Sequence, residues 1–396
     1  MHFLQRHMTR ILLTASALIV AAVGSKAHAQ DVMMPERWWK PLMYVRPIFN
    51  HDTLTIRVLG DVMMHTEQIR NARKGEDSYD FSSYFSLIED EIKDADIAVA
   101  NMEFTLGGEP YSGYPSFSAP DTYADYLADC GFDIFLAANN HIFDKGAKGA
   151  QRTIDIYREL KEEKGISFTG LASDEEELAK NNPLIISAKG IRLAILNMTY
   201  GTNVGSGANW PKTNYMASAS QILSALSKAE ESDADVTLAF PHWGIEYMLK
   251  HSSRQEDTAQ WLAENGADMI IGAHPHVIQD FQMMEVNEAG GTKKVPVAYS
   301  LGNVVSNMSA RNTQLELMAT VRIVRHGNGD LEVLPLDFTY LWCSRPGGYN
   351  DSYTVVPVAE YIGKRDEWLG AWDYDKMIDT YKYVKEQTGI EEKQNL

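Results

Sequence analysis

Ile270-Ile271-Gly272-Ala273-His274-Pro275-His276 is the stretch on which the reading of this chain turns. An apolar run stops at a glycine, and two histidines follow with one residue between them. In an extended segment, residues i and i+2 face the same side. Both imidazoles are then placed to serve one ligand just past a buried strand, and a divalent metal is a common partner of neutral imidazole. Two histidines in a turn also occur as ordinary surface residues, and the pair alone leaves both readings open.

The same arrangement recurs. Residues 53–59 form a β-branched run that ends at Gly60-Asp61. Residues 96–100 end at Asn101-Met102-Glu103, and 133–138 at Asn139-Asn140-His141. Residues 235–240 end at Pro241-His242-Trp243-Gly244, and 295–301 at Gly302-Asn303. Between these strands lie helical spacings: Phe81, Tyr84, Phe85, Ile88 and Ile92; residues 121–130, stopped by Gly131; Ile154, Tyr157 and Leu160, closing over 161–165; Ile222, Ala225, Leu226 and Ala229; and 258–265, stopped by Gly266. Two hairpins are predicted, one around Lys189-Gly190 and one, between 315–324 and 331–338, around Gly327-Asn328-Gly329-Asp330. Met377, Tyr381 and Val384 mark a last helix, and residues 390–396 are expected to fray. Strands alternating with helices predict an α/β fold with helices on the outer faces of its sheets. In such folds ligands sit beyond the carboxyl ends of the strands, and every polar cluster just named lies at such an end.

Collected, the strand-end groups are Asp61, Glu103, Asn140, His141, His242, His274 and His276. This mixed nitrogen and oxygen set has no thiolate, and it suits manganese, iron or zinc. It is too large for one ion with an open position and suits two ions sharing a carboxylate. Each residue taken singly has a structural alternative. Asp61 is compatible with a turn or a helix cap, and Glu103 with an ion pair to an arginine. Asn140 is compatible with a left-handed turn, and His242 with a satisfied core histidine.

Composition narrows the function classes. The chain has 396 residues and a formal charge of −18, which disfavours nucleic acid and anionic membrane surfaces as partners. Arg6 and Arg10 precede an apolar, Ala-rich run, and Ala27-His28-Ala29 carries small residues at the two positions a signal peptidase reads. Residues 1–29 are therefore expected to be a signal peptide cleaved after Ala29. An apolar run this short is not expected to remain as a transmembrane segment. Its removal takes away three basic residues and no acid, making the charge −21. Residues 30–52 read as a linker or strap, 53–342 as the main domain and 343–396 as a C-terminal extension. Cys130 and Cys343 lie far apart; no disulfide is predicted, and Cys130 reads as a buried free thiol. The two long loops, 105–120 and 198–216, carry Tyr111, Tyr114, Phe117, Tyr200 and Trp210, which pack on a ligand or cover the core.

Six ordered motifs then carry a family resemblance. They are Gly60-Asp61-Val62-Met63, Asn101-Met102-Glu103, Ala138-Asn139-Asn140-His141 with Asp144 and Gly146, His242-Trp243-Gly244-Ile245-Glu246, Gly272-Ala273-His274-Pro275-His276, and Ser300-Leu301-Gly302-Asn303. From about Leu54 to about Phe338 the chain resembles the CapA family of poly-γ-glutamate capsule biosynthesis proteins, related to calcineurin-like metallophosphoesterases. The resemblance implies a four-layer α-β-β-α sandwich, here followed by the β-hairpin and helical tail. It implies one metal at Asp61 and His276, Glu103 as the bridging carboxylate, and a second metal at Asn140, His242 and His274. It implies His141 as the catalytic acid or electrostatic group beside the scissile oxygen. Asn101, Asp144, Glu246 and Asn303 are read as supporting or substrate-contacting groups. Two departures stand out. Met63 occupies the place of the first motif's histidine, with His65 two residues further on, and Glu103 replaces the usual aspartate. One or two divalent ions are therefore expected.

The function implied is that of an exported protein, periplasmic or extracellular, in the biosynthesis of capsule, poly-γ-glutamate or a related envelope polymer. It carries a metal-dependent hydrolase site of phosphoesterase type. Its expected partners are an anionic or polymeric envelope substrate and the capsule synthesis or export machinery. The alternative is a non-catalytic, polymer-binding accessory protein of capsule assembly or export.

Overall fold

The computed structural model describes residues 52–392, apart from 208, 289 and 290. The expected signal peptide and all but the last residue of the expected strap lie outside the described residues. Among the described residues, no helix is long and apolar enough to cross a membrane.

The strands β1 (Asp52–Val62), β2 (Ile97–Met102), β3 (Ile134–Leu136) and β4 (Ser167–Thr169) lie side by side in parallel. Then come β5 (Leu171–Ala172), β6 (Leu184–Ala188), β7 (Ile191–Thr199), β8 (Lys212–Thr213), β9 (Val236–His242), β10 (Met269–Ile271), β11 (Phe281–Glu288) and β12 (Gly291–Ala298). Of these, β5 and β8 form a small ladder, and the others form a six-stranded sheet in the order β11-β12-β10-β9-β7-β6. The strands β13 (Asn303–Val305), β14 (Leu315–Arg325), β15 (Leu331–Val333), β16 (Asp337–Ser344) and β17 (Thr354–Pro357) return to the first sheet. That sheet has nine strands in the order β17-β16-β14-β1-β2-β3-β4, with β13 on β1 and β15 on β14. The helices are α1 (Thr66–Ala72), α2 (Glu89–Asp94), α3 (Asp121–Asp129), α4 (Gly146–Lys164), α5 (Glu175–Asn181), α6 (Ala219–Glu231), α7 (Ser253–Glu264), α8 (Val358–Tyr361) and α9 (Ala371–Thr388).

Side-chain alternation turns these elements into layers. In β2, Ile97 and Val99 enter the core between the sheets, while Ala98 and Ala100 face the helices. In β9, Leu238 and Phe240 point inward and Ala239 outward. Sheets covered on both faces need apolar residues at both parities, which is why these strands read as continuous apolar runs. Tyr123 and Leu127 of α3 and Ile154 and Tyr157 of α4 cover the first sheet. Ile222 and Leu226 of α6 and Ala259 and Leu262 of α7 cover the second. The result is the expected four-layer α-β-β-α sandwich. Each large aliphatic side chain buried between the sheets contributes up to roughly 1.5–3 kcal/mol.

The local chemistry of the helix ends is visible. The Ser252 hydroxyl accepts the Gln255 N–H at 3.3 Å, and the Gln255 side chain accepts the Ser252 N–H, a reciprocal cap that starts α7 five residues before the expected 258. Gly165 ends α4 in the left-handed region, φ 80°.

Four expectations need correction. The spacing over Phe81–Ile92 is not one helix: only Glu89–Asp94 is helical. The bonds from Tyr84 N–H to Phe81 O and from Ile88 N–H to Phe85 O each close a four-residue turn, and Asp80 captures the Ser82 N–H and hydroxyl. Successive turns reproduce a three-residue apolar period without a helix. The antiparallel strand β11 was not foreseen, because its edge position mixes polar residues into the apolar pattern. The strand expected over 295–301 begins at Gly291 and ends at Ala298. Finally, the boundary expected between 342 and 343 falls inside β16. Residues 343–396 supply β17, the edge of the first sheet, and α9, whose Met377 and Val384 join Tyr340 and Trp342 in the inter-sheet core. The hairpin between β14 and β15 forms, but its second strand, expected over 331–338, ends at Val333, and residues 337–338 begin β16. Both cysteines are free and buried.

Gly60 marks the tightest approach of β1 to the segment leading into β13. A Cβ there would lie 2.1 Å from the Gly302 carbonyl oxygen. Gly60→Ala is expected to lower unfolding free energy by roughly 1–3 kcal/mol, the usual penalty of overpacking. Chemical denaturation checks this; an unchanged midpoint contradicts the stated contact.

Candidate metal centre

The carboxyl ends of the strands bring the polar residues together. Asp61 lies at the end of β1, in register with Asn101 of β2 and with Asn303 of β13. Glu103 follows β2, Asn140 and His141 follow β3, and His242 closes β9. His274 and His276 follow β10 and belong to the same cluster, though not by the expected route. Their backbone is not extended: φ is +98° at His274 and +58° at His276. Such conformations cost non-glycine residues on the order of 1 kcal/mol each. The turn is held by the Trp243 N–H to Ala273 O at 3.0 Å, the Ala273 N–H to Pro241 O at 3.0 Å and the Tyr247 N–H to Pro275 O at 2.9 Å. Gly272 makes the approach possible, because a Cβ there would lie 2.2 Å from the Tyr299 carbonyl oxygen.

Asp61 is the anchor on one side. Its Oδ1 accepts the Asn101 amide at 2.7 Å, and its Oδ2 accepts the His274 backbone N–H at 3.1 Å. His276 Nδ1 lies 3.3 Å from Asp61 Oδ2, 2.9 Å from Asn303 Oδ1 and 3.8 Å from Glu103 Oε2. On the other side, His242 Nε2 lies 2.8 Å from Asn140 Oδ1 and 3.6 Å from Glu103 Oε1. Glu103 stands between the two sides, fully buried, and neither of its carboxylate oxygens has a hydrogen-bond partner. His274 Nδ1 is likewise buried and unpartnered. Burying a carboxylate without a partner costs several kcal/mol.

The protonation states follow from burial. Burial, reinforced by the charge of Asp61, raises the Glu103 carboxyl well above its ordinary value. Burial, with neighbouring histidines, drives His242 well below its ordinary value and pushes His274 down to about 3. Burial also opposes charge on His276, but the hydrogen bond and charge of Asp61 outweigh it and raise that imidazole. His242 and His274 are therefore neutral near pH 7, the form in which imidazole ligates.

These residues fit a divalent cation. Ligand atoms of Asp61, Glu103 and His276 all lie within 4.8 Å of one another, and so do those of Glu103, His242 and His274. Glu103 belongs to both groups. A third group joins Glu246, an exposed residue, to His274 and His276.

His141 stands beside this cluster. Its Nδ1 is 2.7 Å from Asp144 Oδ2, which also accepts the Phe117 N–H at 2.8 Å. The Phe117 ring meets the imidazole edge-on at 4.6 Å. With Nδ1 committed to the carboxylate, Nε2 is left for a ligand; the Asn203 amide nitrogen lies 3.4 Å from it. Asn203 was not anticipated: it sits in a Gly-rich loop without periodicity. Of the loop aromatics, Phe117 is core, Tyr111 packs on Tyr79, and Trp210 stacks under Lys212. Tyr114 and Tyr200, both exposed, lie against His141 and His274. Met63 and His65 stay outside the three ligand groups. Met63 is buried in the core of the outer face, and His65 Nδ1 receives the Asn307 N–H at 3.2 Å.

A family model described as "Bacterial capsule synthesis protein PGA_cap" matches residues 55–308. The capsule biosynthesis protein CapA of Bacillus anthracis is 28% identical over 320 residues, 77% of this chain and 73% of the relative. The PGA biosynthesis protein CapA of Bacillus subtilis (strain 168) is 25% identical over 300 residues, 73% of each chain. Among solved structures, a calcineurin-like phosphoesterase from Bacillus subtilis is similar with a TM-score of 0.42 and 13% identity, over 86% of this chain and 100% of that one.

His65, which lies outside the three ligand groups, yields a pH test. Burial lowers its pKa from 6.5 to about 4. Between these values the unfolded chain holds more protons than the folded one. The contribution of His65 is thus fully present above pH 6.5 and is lost as pH falls toward 4, by at most about 1.4 kcal/mol per pH unit. In urea titrations at about pH 7, 6 and 5, the gap between wild type and His65→Asn is expected to move steadily in favour of the variant as pH falls. A gap independent of pH contradicts the assignment.

Proposed function

The chain belongs to the bacterial capsule synthesis protein family, and we propose that it is an exported protein of capsule or related envelope polymer biosynthesis with a metal-dependent hydrolase site of phosphoesterase type. The observation that carries this reading is Glu103, a buried carboxylate with both oxygens unpaired, shared between two groups of ligand atoms. One ion is assigned to Asp61, Glu103 and His276. The other is assigned to Glu103, Asn140, His242 and His274. Manganese, iron or zinc suits this oxygen and imidazole set.

When bound, such ions supply Lewis-acid charge to the scissile group and the attacking water. The chain's own residues do the rest. Asp144 accepts the Nδ1–H of His141 and would support the doubly protonated ring, whose Nε2–H passes to the leaving-group oxygen and leaves the neutral imidazole behind. Asn101 and Asn303 orient Asp61 and His276. The substrate class is an anionic or polymeric envelope component, in keeping with the capsule and PGA biosynthesis named for the two CapA relatives. The Arg-flanked apolar run ending in Ala27-His28-Ala29 supports export, and the capsule synthesis or export machinery is the expected partner.

Metal content and turnover test the reading together. His274→Ala and His276→Ala are each expected to lower bound metal, measured by elemental mass spectrometry after mild purification. His141→Asn is expected to keep the metal and lose roughly 10²–10⁴-fold in turnover of a generic phosphodiester or of the capsule polymer. Undiminished metal in both histidine variants contradicts the site. A wild-type protein that binds metal but cleaves neither substrate favours the accessory, polymer-binding reading.

A further inference from the structure

The ligand set has a gap on the Asp61 side. Asp61, Glu103 and His276 offer three donors there, and the residue two beyond Asp61 is Met63, buried in the apolar core of the outer face. His65, the nearest histidine in sequence, is engaged by the Asn307 backbone and is not among the ligand groups.

Glu246 reaches the histidine pair from another loop. Its carboxylate, His274 and His276 have ligand atoms mutually within 4.8 Å. The group shares His276 with that of Asp61 and Glu103, and His274 with that of Glu103 and His242; the latter side already has Asn140 as a further donor, so the side short of a ligand is that of His276. The position of Glu246 is built into the backbone. The loop that carries it leaves β9 and is stitched to the histidine turn on either side of Glu246, by Trp243 N–H to Ala273 O at 3.0 Å and by Tyr247 N–H to Pro275 O at 2.9 Å. Gly244 takes φ +99° against Gln255, where a Cβ would lie 2.8 Å from the amide nitrogen, and Tyr247 takes φ +68°. A surface acid with no task does not need two left-handed residues and two backbone stitches to hold it beside two buried imidazoles. The negative charge of Glu246 also bears on Glu103, His276 and Tyr200.

We propose that Glu246 is a metal ligand on the Asp61–His276 side, completing the coordination that Met63 leaves short. This rests on the metal-site reading above. It also bears on charge: three carboxylates against two divalent ions leave a small net positive charge, which is what an anionic substrate requires of a strongly acidic chain.

The test is calorimetric titration of the metal-stripped full chain with Mn²⁺. Wild type is expected to show two classes of site. Glu246→Gln is expected to weaken one class about tenfold or more and to leave the other in place. Asp257→Asn, which removes another exposed acid, from α7, is expected to titrate like wild type. The proposal is overturned if Glu246→Gln titrates like wild type, or if Asp257→Asn weakens binding as much. A wild-type chain that takes up no Mn²⁺ overturns the metal-site reading itself, and the role of Glu246 falls with it.

Discussion

A carboxylate buried without a partner is the constraint on which this structure depends. Glu103 sits at the carboxyl end of β2 with no solvent and no hydrogen-bond donor, beside the second carboxylate of Asp61. Left alone, such a pair costs several kcal/mol, a large share of the 5–15 kcal/mol by which domains are typically stable. Either Glu103 holds a proton or a cation sits between it and its neighbours. The two neutral histidines on one side, and His276 with Asp61 on the other, lie where a cation would relieve that cost.

The rest of the fold delivers that arrangement. Parallel strands place all the relevant side chains at one edge of two sheets, and the inter-sheet core fixes the distance between the edges. Where backbones must come closer than side chains allow, glycine stands: Gly60 against Gly302, and Gly272 against Tyr299. Where a histidine must turn back toward the cluster, the chain accepts positive φ at His274 and His276 and holds it with hydrogen bonds to β9 and to the following loop. Strain at a site supported on several sides is the usual sign of a geometry maintained for binding.

Much of this was legible in the sequence, and the failures have physical reasons. The strand ends were readable because a strand buried on both faces is a continuous apolar run, and its abrupt polar ending is visible. Asp61, Glu103, Asn140, His141, His242, His274 and His276 all came from that one signal. The local geometry of the histidine pair was not readable, because an extended segment and a left-handed turn both put two imidazoles on one side. The turns through Phe81 and Phe85 imitated a helix because both repeat about every three residues. β11 hid behind its edge position and β17 behind weak patterning; α9 was legible from Met377, Tyr381 and Val384, but not that Met377 and Val384 complete the core. Asn203 and the placement of Glu246 depend on loops, whose paths are set by contacts distant in sequence. The motif His242-Trp243-Gly244-Ile245-Glu246 named the residue, but only the stitching of its loop to Pro275 shows where it points.

The central claim is that Glu103 is shared by two cations. Electron paramagnetic resonance of the Mn²⁺-loaded chain, with the metal equivalents counted, tests it most directly. Two ions per chain with an exchange-coupled spectrum are predicted for wild type, and loss of the coupling with a depleted metal complement for Glu103→Gln. A Glu103→Gln protein that keeps the wild-type complement and the same coupled spectrum would contradict the account.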